Sequence, residues 1–449
     1  SLFISSYLEK STNKNSLKEL SSVLIFTYYW PPSGGSGVQR WVYFAKYMKQ
    51  YGFKPIVITV DPKSASFSSI DLSLENEIEN IQVYKTRSRE VLKLYKFLFK
   101  NKSKKPFPQG EFSNKGFLSK IIAFVRGNFF IPDARKGWNS FAIRAGESIL
   151  KKEKIHSVIT TGPPHSTHLI GLQLRKKFKF NWLIDLRDPW TDIFYLKDMY
   201  RMSWANSIDL KYEKKILNSA DAILTTAKKN FHKQLRDKII DKNKPFYNIY
   251  NGYDDESFSK IKSKYNQTFT LGYIGLLTKN QSYKQLIYSL KSIKETHPDI
   301  NMQFCFAGST SKEIINEFSK VVSVQNHGYV IHNQAVSLMK SSHVLINFLF
   351  NQSGYSTMIS GKLIEYMATG NPVLVIGDLN SEVSDLMKIS HDSSVCLSND
   401  TRSIKDYILK MYNLWIENRL EPKSPIEIKK YSRKFGSQKL CNILKAMPK

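Results

Sequence analysis

Short apolar runs alternate with amphipathic stretches along most of the chain. Val23, Leu24, Ile25 and Phe26 form the first run, rich in β-formers, and it reads as a buried strand. Pro31 and Pro32 end it, and Ser33, Gly34, Gly35, Ser36 and Gly37 follow. Val38, Trp41, Ala45 and Met48 then recur at helical steps, with Arg40, Lys46 and Lys49 between them and Gly52 as the stop. A second strand over 55–60 completes a βαβ unit. The same alternation predicts strands over 81–84, 157–160, 182–184, 222–226 and 246–250, with helices over 138–154, 167–177, 208–219 and 227–238. A second series predicts strands over 269–275, 302–307, 343–348 and 373–376, and helices over 283–294, 336–340, 404–418 and 437–447. One more helix lies between Ser360, a suitable N-cap, and the stop made by Gly370 and Pro372.

The class is therefore α/β, with two doubly wound units. We divide the chain into a polar extension (1–21), an N-terminal unit (22–255), a polar linker, a C-terminal unit (268–420) and a last segment (421–449). The helix in that last segment is expected to cross back to the first unit. Residues 91–137 break the rhythm. Val91, Leu94, Tyr95 and Leu98 make one helical stripe, and Phe117, Leu118, Ile121, Ile122, Val125 and Phe129 make another. With 11 Lys/Arg against 2 Asp/Glu, this insert suits a contact between residues 91–130 and an anionic membrane surface; packing of the same stripes on the domain is the alternative.

Charge and composition narrow the partners. A length of 449 residues favours two domains, and a net charge of +29 favours an anionic partner. No apolar run reaches the roughly 18 residues of a membrane span. The first 20 residues lack a basic region followed by an apolar one, so no signal peptide is expected. Cys305, Cys396 and Cys441 are few and scattered, which points to a reducing compartment without a disulfide framework. No His/Cys/Asp set has metal-ligand spacing, so no metal and no cofactor are expected.

Chemistry is expected where strands end. In open α/β sheets ligands sit at the carboxyl ends of strands. There the glycine turn (Gly34, Gly35, Ser36) allows close backbone approach, and the free amides of the following helix favour an anion. A second turn carries Gly162, Pro163, Pro164 and His165, with His168 just beyond it. A third carries Asp185, Leu186, Arg187 and Asp188. Three charges in four residues at a strand end serve either acceptor orientation and proton transfer or an Arg–Asp pair that fixes the loop. In the second unit Lys362 and Glu365 lie one turn apart on one helix face, close to the helix N-terminus with Ser360 and Gly361.

These stretches bear a family resemblance. The run from Tyr29 to Arg40 resembles the first glycine loop of retaining GT-B glycosyltransferases of the family 4 type. Asp185 to Trp190 and Asn251 to Asp254 resemble motifs of the branch that works on bacterial surface polysaccharides. Gly328, Tyr329, Val330 and His332 resemble a further segment, and Lys362 to Val373 resemble the nucleotide-site helix. The resemblance implies a GT-B fold, two Rossmann-like domains facing a cleft, and metal-independent transfer with retention. It implies a nucleotide-sugar donor and a lipid-linked or polysaccharide acceptor, at the cytoplasmic face of the cell membrane. Glu365 would accept the ribose hydroxyls. Gly34, Gly35, Ser36, Gly275, Lys279, Ser360, Gly361 and Lys362 would surround the phosphates. Asp185, Arg187, Asp188 and His165 would serve the acceptor side.

The chain also departs from that pattern. Thr357 stands where many relatives carry Glu, Leu276 where many carry Arg, and Gln281 where many carry Lys, with Lys279 and Lys284 nearby. The resemblance therefore moves the diphosphate's countercharge onto Lys362. Three other readings remain: an epimerase or hydrolase of nucleotide sugars on the same fold, a transferase without activity, and a basic membrane- or nucleic-acid-binding protein. The sequence shows no recognisable nucleic-acid module, so no nucleic-acid partner is expected.

Overall fold

The computed structural model describes residues 20–67, 69–89, 117–262, 264–350, 358–378 and 381–448. The first stripe of the insert, most of the polar extension and Thr357 lie outside the described residues.

The chain forms two parallel sheets. The first contains β1 (Ser21–Phe26), β2 (Phe53–Val60), β3 (Gln82–Thr86), β4 (Ile155–Gly162), β5 (Asn181–Leu186), β6 (Ala222–Thr225) and β7 (Phe246–Asn248). Their order is β3-β2-β1-β4-β5-β6-β7. The second contains β8 (Phe269–Ile274), β9 (Met302–Ala307), β10 (Ser323–Asn326), β11 (Val344–Phe348), β12 (Val373–Ile376) and β13 (Ser394–Cys396), in the order β10-β9-β8-β11-β12-β13. The order reverses between β1 and β4 and again between β8 and β11, which opens a crevice at the carboxyl ends in each sheet.

Strand β1 shows why these runs become central strands. Leu24 pairs in register with Ile56 on β2 and Val158 on β4. Leu24 and Phe26 point into the cluster with Trp138, Ala142, Ile170 and Trp182, under the helices Asn139–Lys152 and Thr167–Leu174. Val23 and Ile25 point the other way, to Trp41, Ala45, Leu440 and Leu444. Those belong to the helices Ser36–Met48 and Arg433–Ala446, so the last helix packs on the first sheet. A parallel sheet covered on both faces needs an unbroken apolar run, and β1 has one. Each such side chain, fully buried, contributes roughly 1.5–3 kcal/mol.

The second sheet is built alike. Leu271 and Tyr273 of β8 pack with Leu286, Leu290, Ile404 and Ile408 from the helices Lys284–Thr296 and Thr401–Ile416. Leu345, Val373 and Val375 meet Val336 and Leu363 from the helices His332–Ser341 and Gly361–Thr369 on the other face.

Two strands have no sequence signal. β10 is an edge strand of Ser, Val, Gln and Asn with mostly exposed side chains, and β13 has three residues. The polar linker also begins with a helix, Asp255–Lys260, whose N-cap Asp254 accepts from the Ser257 amide at 3.3 Å. Its polarity reflects exposure, and the cap supplies the order.

A carboxylate ties the two units together. Glu382, from the helix Ser381–Lys388, is 4% exposed. It accepts from the Lys228 amide at 2.8 and 3.0 Å, from the Lys229 amide at 3.1 Å and from the Tyr250 hydroxyl at 2.6 Å. It thus places a negative charge at the N-terminus of the helix Lys229–Arg236, where backbone dipoles favour one. Replacing Glu382 with Ala leaves two amides and a hydroxyl at this junction without that acceptor. The expected loss is about 1–3 kcal/mol of stability in urea unfolding; a loss below a few tenths would mean that water serves the junction equally well.

Candidate active site at the two strand-end crevices

In the first unit the glycine turn links β1 to the helix Ser36–Met48. The Gly34 amide donates to the Ser69 carbonyl at 3.0 Å, and a Cβ on Gly34 would stand 3.0 Å from Asp71 Cβ. Gly35 has φ 109, open to glycine but strained for most residues, and nothing lies within 4 Å of where its Cβ would be. Gly35 and Ser36 are exposed, and no side chain caps this helix end.

Behind the turn Asp185 anchors the unit. It is fully buried, and its Oδ1 pairs with Arg40 Nη2 at 3.0 Å. Its Oδ2 accepts from Trp41 Nε1 at 2.7 Å and from the Thr161 hydroxyl at 2.8 Å. Arg40 also donates to the Ile249 carbonyl at 2.7 Å. Both oxygens of Asp185 are thus engaged and the residue is fully buried, so the Arg–Asp pair at this strand end is made with Arg40 rather than Arg187.

Arg187 and Asp188 are placed differently. Arg187 Nε donates to the Gly162 carbonyl at 3.1 Å, and Nη2 donates to the Pro163 carbonyl. A Cβ on Gly37 would fall 1.7 Å from Arg187 Nη1, so the missing side chain is what admits the guanidinium beside the glycine turn. Asp188 is half-buried, and its carboxylate has no hydrogen bond among the described residues. Burial raises its pKa, while Arg187 pulls the other way. His165 stacks flat on Trp190, with centroids 4.9 Å apart and planes at 6°. His168 Nδ1 lies 2.8 Å from the Thr160 hydroxyl. Burial pushes the His165 pKa well down and that of His168 to about 3, so both imidazoles are neutral.

In the second unit Tyr273 organises the strand end. Its hydroxyl donates to the Leu276 carbonyl at 2.7 Å and accepts from Lys362 Nζ at 2.6 Å and Gln281 Nε2 at 3.0 Å. Lys362 Nζ also lies 4.3 Å from the Tyr273 ring centroid. Gly275 has φ 142, and a Cβ there would meet Lys362 Nζ at 2.8 Å. Lys362, Ser360, Gly361 and Gly275 therefore come together. Gly361 faces the first unit, where Asn251 Cβ would be 3.3 Å from an added Cβ. Lys279 does not join them: it is exposed and paired with Glu313 on the surface.

Glu365, one turn beyond Lys362, lies where the units meet. His332 Nε2 is 2.9 Å from Oε1, and Arg433 Nη2 is 3.5 Å from the same oxygen. Arg433, at the start of the last helix, also donates to Gln39 Oε1 at 2.7 Å and to the Gly252 carbonyl at 3.0 Å, and covers the Tyr43 ring at 4.5 Å. Sequence reasoning missed Arg433 and Tyr273. Arg433 is one cation in a basic tail, 394 positions from Gln39. Tyr273 reads as an ordinary strand aromatic.

Known proteins resemble this chain in fold and, over part of the second unit, in sequence. Residues 268–413 match the family model described as Glycosyl transferases group 1. Sucrose-phosphate synthase from Thermosynechococcus elongatus superposes with a TM-score of 0.61 at 12% identity, covering 95% of this chain and 98% of its own. Anabaena HepE in complex with UDP-glucose superposes with a TM-score of 0.59 at 11% identity, covering 95% and 100%. The chain has the GT-B fold. WaaG, a glycosyltransferase involved in lipopolysaccharide biosynthesis, shares that fold with a TM-score of 0.54 at 11% identity, covering 95% and 100%. No curated protein matches this GT-B chain by sequence.

The neutral His168 has a pH signature. An unfolded histidine titrates near 6.5. Below that value the unfolded chain binds a proton that folded His168 refuses, so stability falls as pH falls from 6.5 toward 3, by up to about 1.4 kcal/mol per pH unit. Asp133 and Asp188, whose pKa values burial raises, act in the opposite sense. The comparison is therefore with His168→Gln. In urea unfolding the wild-type advantage over this variant is expected to shrink between about pH 7 and pH 5; a constant gap would reject the buried neutral imidazole.

Proposed function

We propose that this chain is a retaining glycosyltransferase that moves a sugar from a nucleotide-sugar donor to a lipid-linked or polysaccharide acceptor in bacterial cell-surface glycan synthesis. The observation that carries this reading is the pairing of Lys362 and Glu365 at the N-terminal end of the helix Gly361–Thr369, with Arg433 bridging Glu365 to Gln39 of the opposite unit. Glu365 has the chemistry to accept hydrogen bonds from a ribose diol. Lys362 and the first amides of its helix suit the diphosphate, where negative charge grows as the leaving group departs. The structure of HepE with UDP-glucose supports a nucleotide-sugar donor, and the role of WaaG supports a surface-glycan product.

In this mechanism the bond from the anomeric carbon to the donor diphosphate breaks, and the acceptor oxygen bonds to that carbon on the same face. A donor phosphate oxygen takes the acceptor proton. Lys362 balances the released charge without a metal ion. Arg187 and the exposed Gly35–Ser36 turn border the acceptor's approach, and the half-buried Asp188 carboxylate orients the acceptor by accepting a hydrogen bond from it.

The acceptor side also presents an apolar, basic surface. On the helix Phe117–Phe129, Ile121, Phe124, Val125 and Phe129 are exposed. The Phe129 ring lies 6.0 Å from that of Trp204, itself 45% exposed on the helix Ser203–Ser219. Trp204, Ile208, Lys211 and Lys215 recur on one face of that helix, which suits an anionic leaflet. Among the described residues no helix is long and apolar enough to cross a membrane, and we assign the chain a peripheral place on the inner face.

A thermal-shift screen against UDP, GDP, CDP, ADP and their sugar conjugates, with and without Mg²⁺, tests the donor site. A ligand at about 100 times its Kd adds about 2.7 kcal/mol. One nucleotide is expected to stabilise the protein without Mg²⁺, and Glu365→Ala to abolish the effect; stabilisation that survives this variant would place the nucleotide elsewhere. Cosedimentation tests the surface. Binding to phosphatidylglycerol vesicles is expected to weaken about tenfold or more in Phe129→Ser/Trp204→Ser and to fall with salt. Equal binding to phosphatidylcholine vesicles, or to DNA, would reject it.

A further inference from the structure

The helix Ser203–Ser219 turns different residues to solvent and to the interior. Trp204 and Ile208 are exposed, while Ala205, Asp209 and Glu213 are buried. The buried face grips the stretch that follows β5. Asp209 Oδ1 accepts from Trp190 Nε1 at 2.8 Å, and Glu213 accepts from the Thr191 hydroxyl and from Lys238 Nζ, the latter at 2.8 Å. Thr226 holds the near end of that stretch, its hydroxyl donating to the Arg187 carbonyl at 2.6 Å. Arg187, Asp188 and Trp190 therefore lie on a loop that is fixed at both ends, and Trp190 is buried.

The second oxygen of Asp209 leads the other way. Oδ2 pairs with Arg201 Nη1 at 2.7 Å, and the arginine and aspartate side chains are 3% and 1% exposed. Arg201 Nε donates to the Gly127 carbonyl at 2.8 Å. The next residue, Asn128, is fully buried; its Nδ2 donates to the Tyr200 carbonyl at 3.1 Å and its Oδ1 accepts from the Met202 amide at 2.7 Å. Tyr200 has φ 49, a left-handed conformation that a bulky residue adopts only when its surroundings impose it. A Cβ on Gly127 would meet the Met199 carbonyl oxygen at 2.7 Å, so this packing leaves no room for a side chain there. Gly127 and Asn128 immediately precede Phe129, whose ring meets that of Trp204 at the exposed face. One buried carboxylate thus joins the lipid-facing surface to the crevice loop, with an oxygen for each. Neither charge of so buried a pair can give up its partner without a large loss.

We propose that Arg201 and Asp209 are positioning residues that couple these two places. Seating Phe129 and Trp204 in an anionic leaflet steadies the end of the helix Phe117–Phe129 and, through this pair and Trp190, orders the loop that carries Arg187 and Asp188. The inference rests on the membrane contact and the crevice site proposed above and adds regulation to them. Off the membrane the loop opens more often; on it, the groups that border the acceptor's approach hold one geometry. The crevice is then fully formed only where a lipid-linked acceptor is present.

Hydrogen exchange read by mass spectrometry on the full chain, with and without phosphatidylglycerol vesicles, tests the coupling. Vesicles are expected to slow exchange about threefold or more over 117–129 and 203–208, and likewise over 187–192. Arg201→Met/Asp209→Asn removes both charges together, keeps an amide oxygen for the Trp190 indole and cuts the link to Gly127. In this variant the two helices should keep their vesicle-induced protection and the loop should lose it. If the double variant does not fold, Trp190→Phe, which keeps a ring against His165 but has no N–H to donate, takes its place. Protection of the helices without the loop in the wild type, or loop protection that survives in the folded variant, overturns the proposal. No protection anywhere rejects the membrane contact itself, and the coupling with it. Loop protection that depends on the pair, in a chain that no nucleotide stabilises, would uphold the coupling and sink the transferase reading instead.

Discussion

The buried pair of Arg40 and Asp185 is the constraint on which the first unit depends. Two charges removed from water lose several kcal/mol of hydration each, and their attraction recovers this only when every remaining polar atom is satisfied. Here a tryptophan, a threonine and a backbone carbonyl complete most of the set. The pair joins the glycine-turn helix, the end of β5, the end of β4 and the segment after β7. Arg187 and Asp188 follow directly on β5, so their approach to the crevice is set by a fully buried residue. In the second unit the Tyr273 hydroxyl takes this part, gathering the Leu276 carbonyl, the Gln281 amide and the Lys362 ammonium.

The sheets were legible because central parallel strands must be apolar on both faces. β1, β2, β4, β5, β8, β9, β11 and β12 are such runs. β10 and β13 were not legible, since an edge strand of polar residues and a three-residue strand leave no periodic trace. The Asp255–Lys260 helix was hidden for the same reason: its order comes from one cap and not from an apolar face.

The site was legible in part. Glycine turns and the Lys362–Glu365 step can be read because spacing along one element fixes which residues share a face. Their partners cannot, because Arg433, His332 and Asn251 arrive from other elements. Asp185 shows a different limit. Its position at a strand end suggested chemistry, but whether a carboxylate faces solvent or a buried guanidinium depends on neighbours far along the chain. Lys279 was near in sequence to the expected charge, yet a surface glutamate holds it, while Lys362 reaches Gly275 across the sheet end.

Arg433 has one further consequence. It belongs by packing to the first unit, yet it lies 3.5 Å from Glu365 in the second. A ligand that donates hydrogen bonds to Glu365 would therefore compete with the protein's own cation, which keeps Gln39 and the Gly252 carbonyl as its other partners. The first turn of the last helix therefore does more than cover the first sheet: its arginine touches both units, with Gln39 and the Gly252 carbonyl on one side and Glu365 on the other.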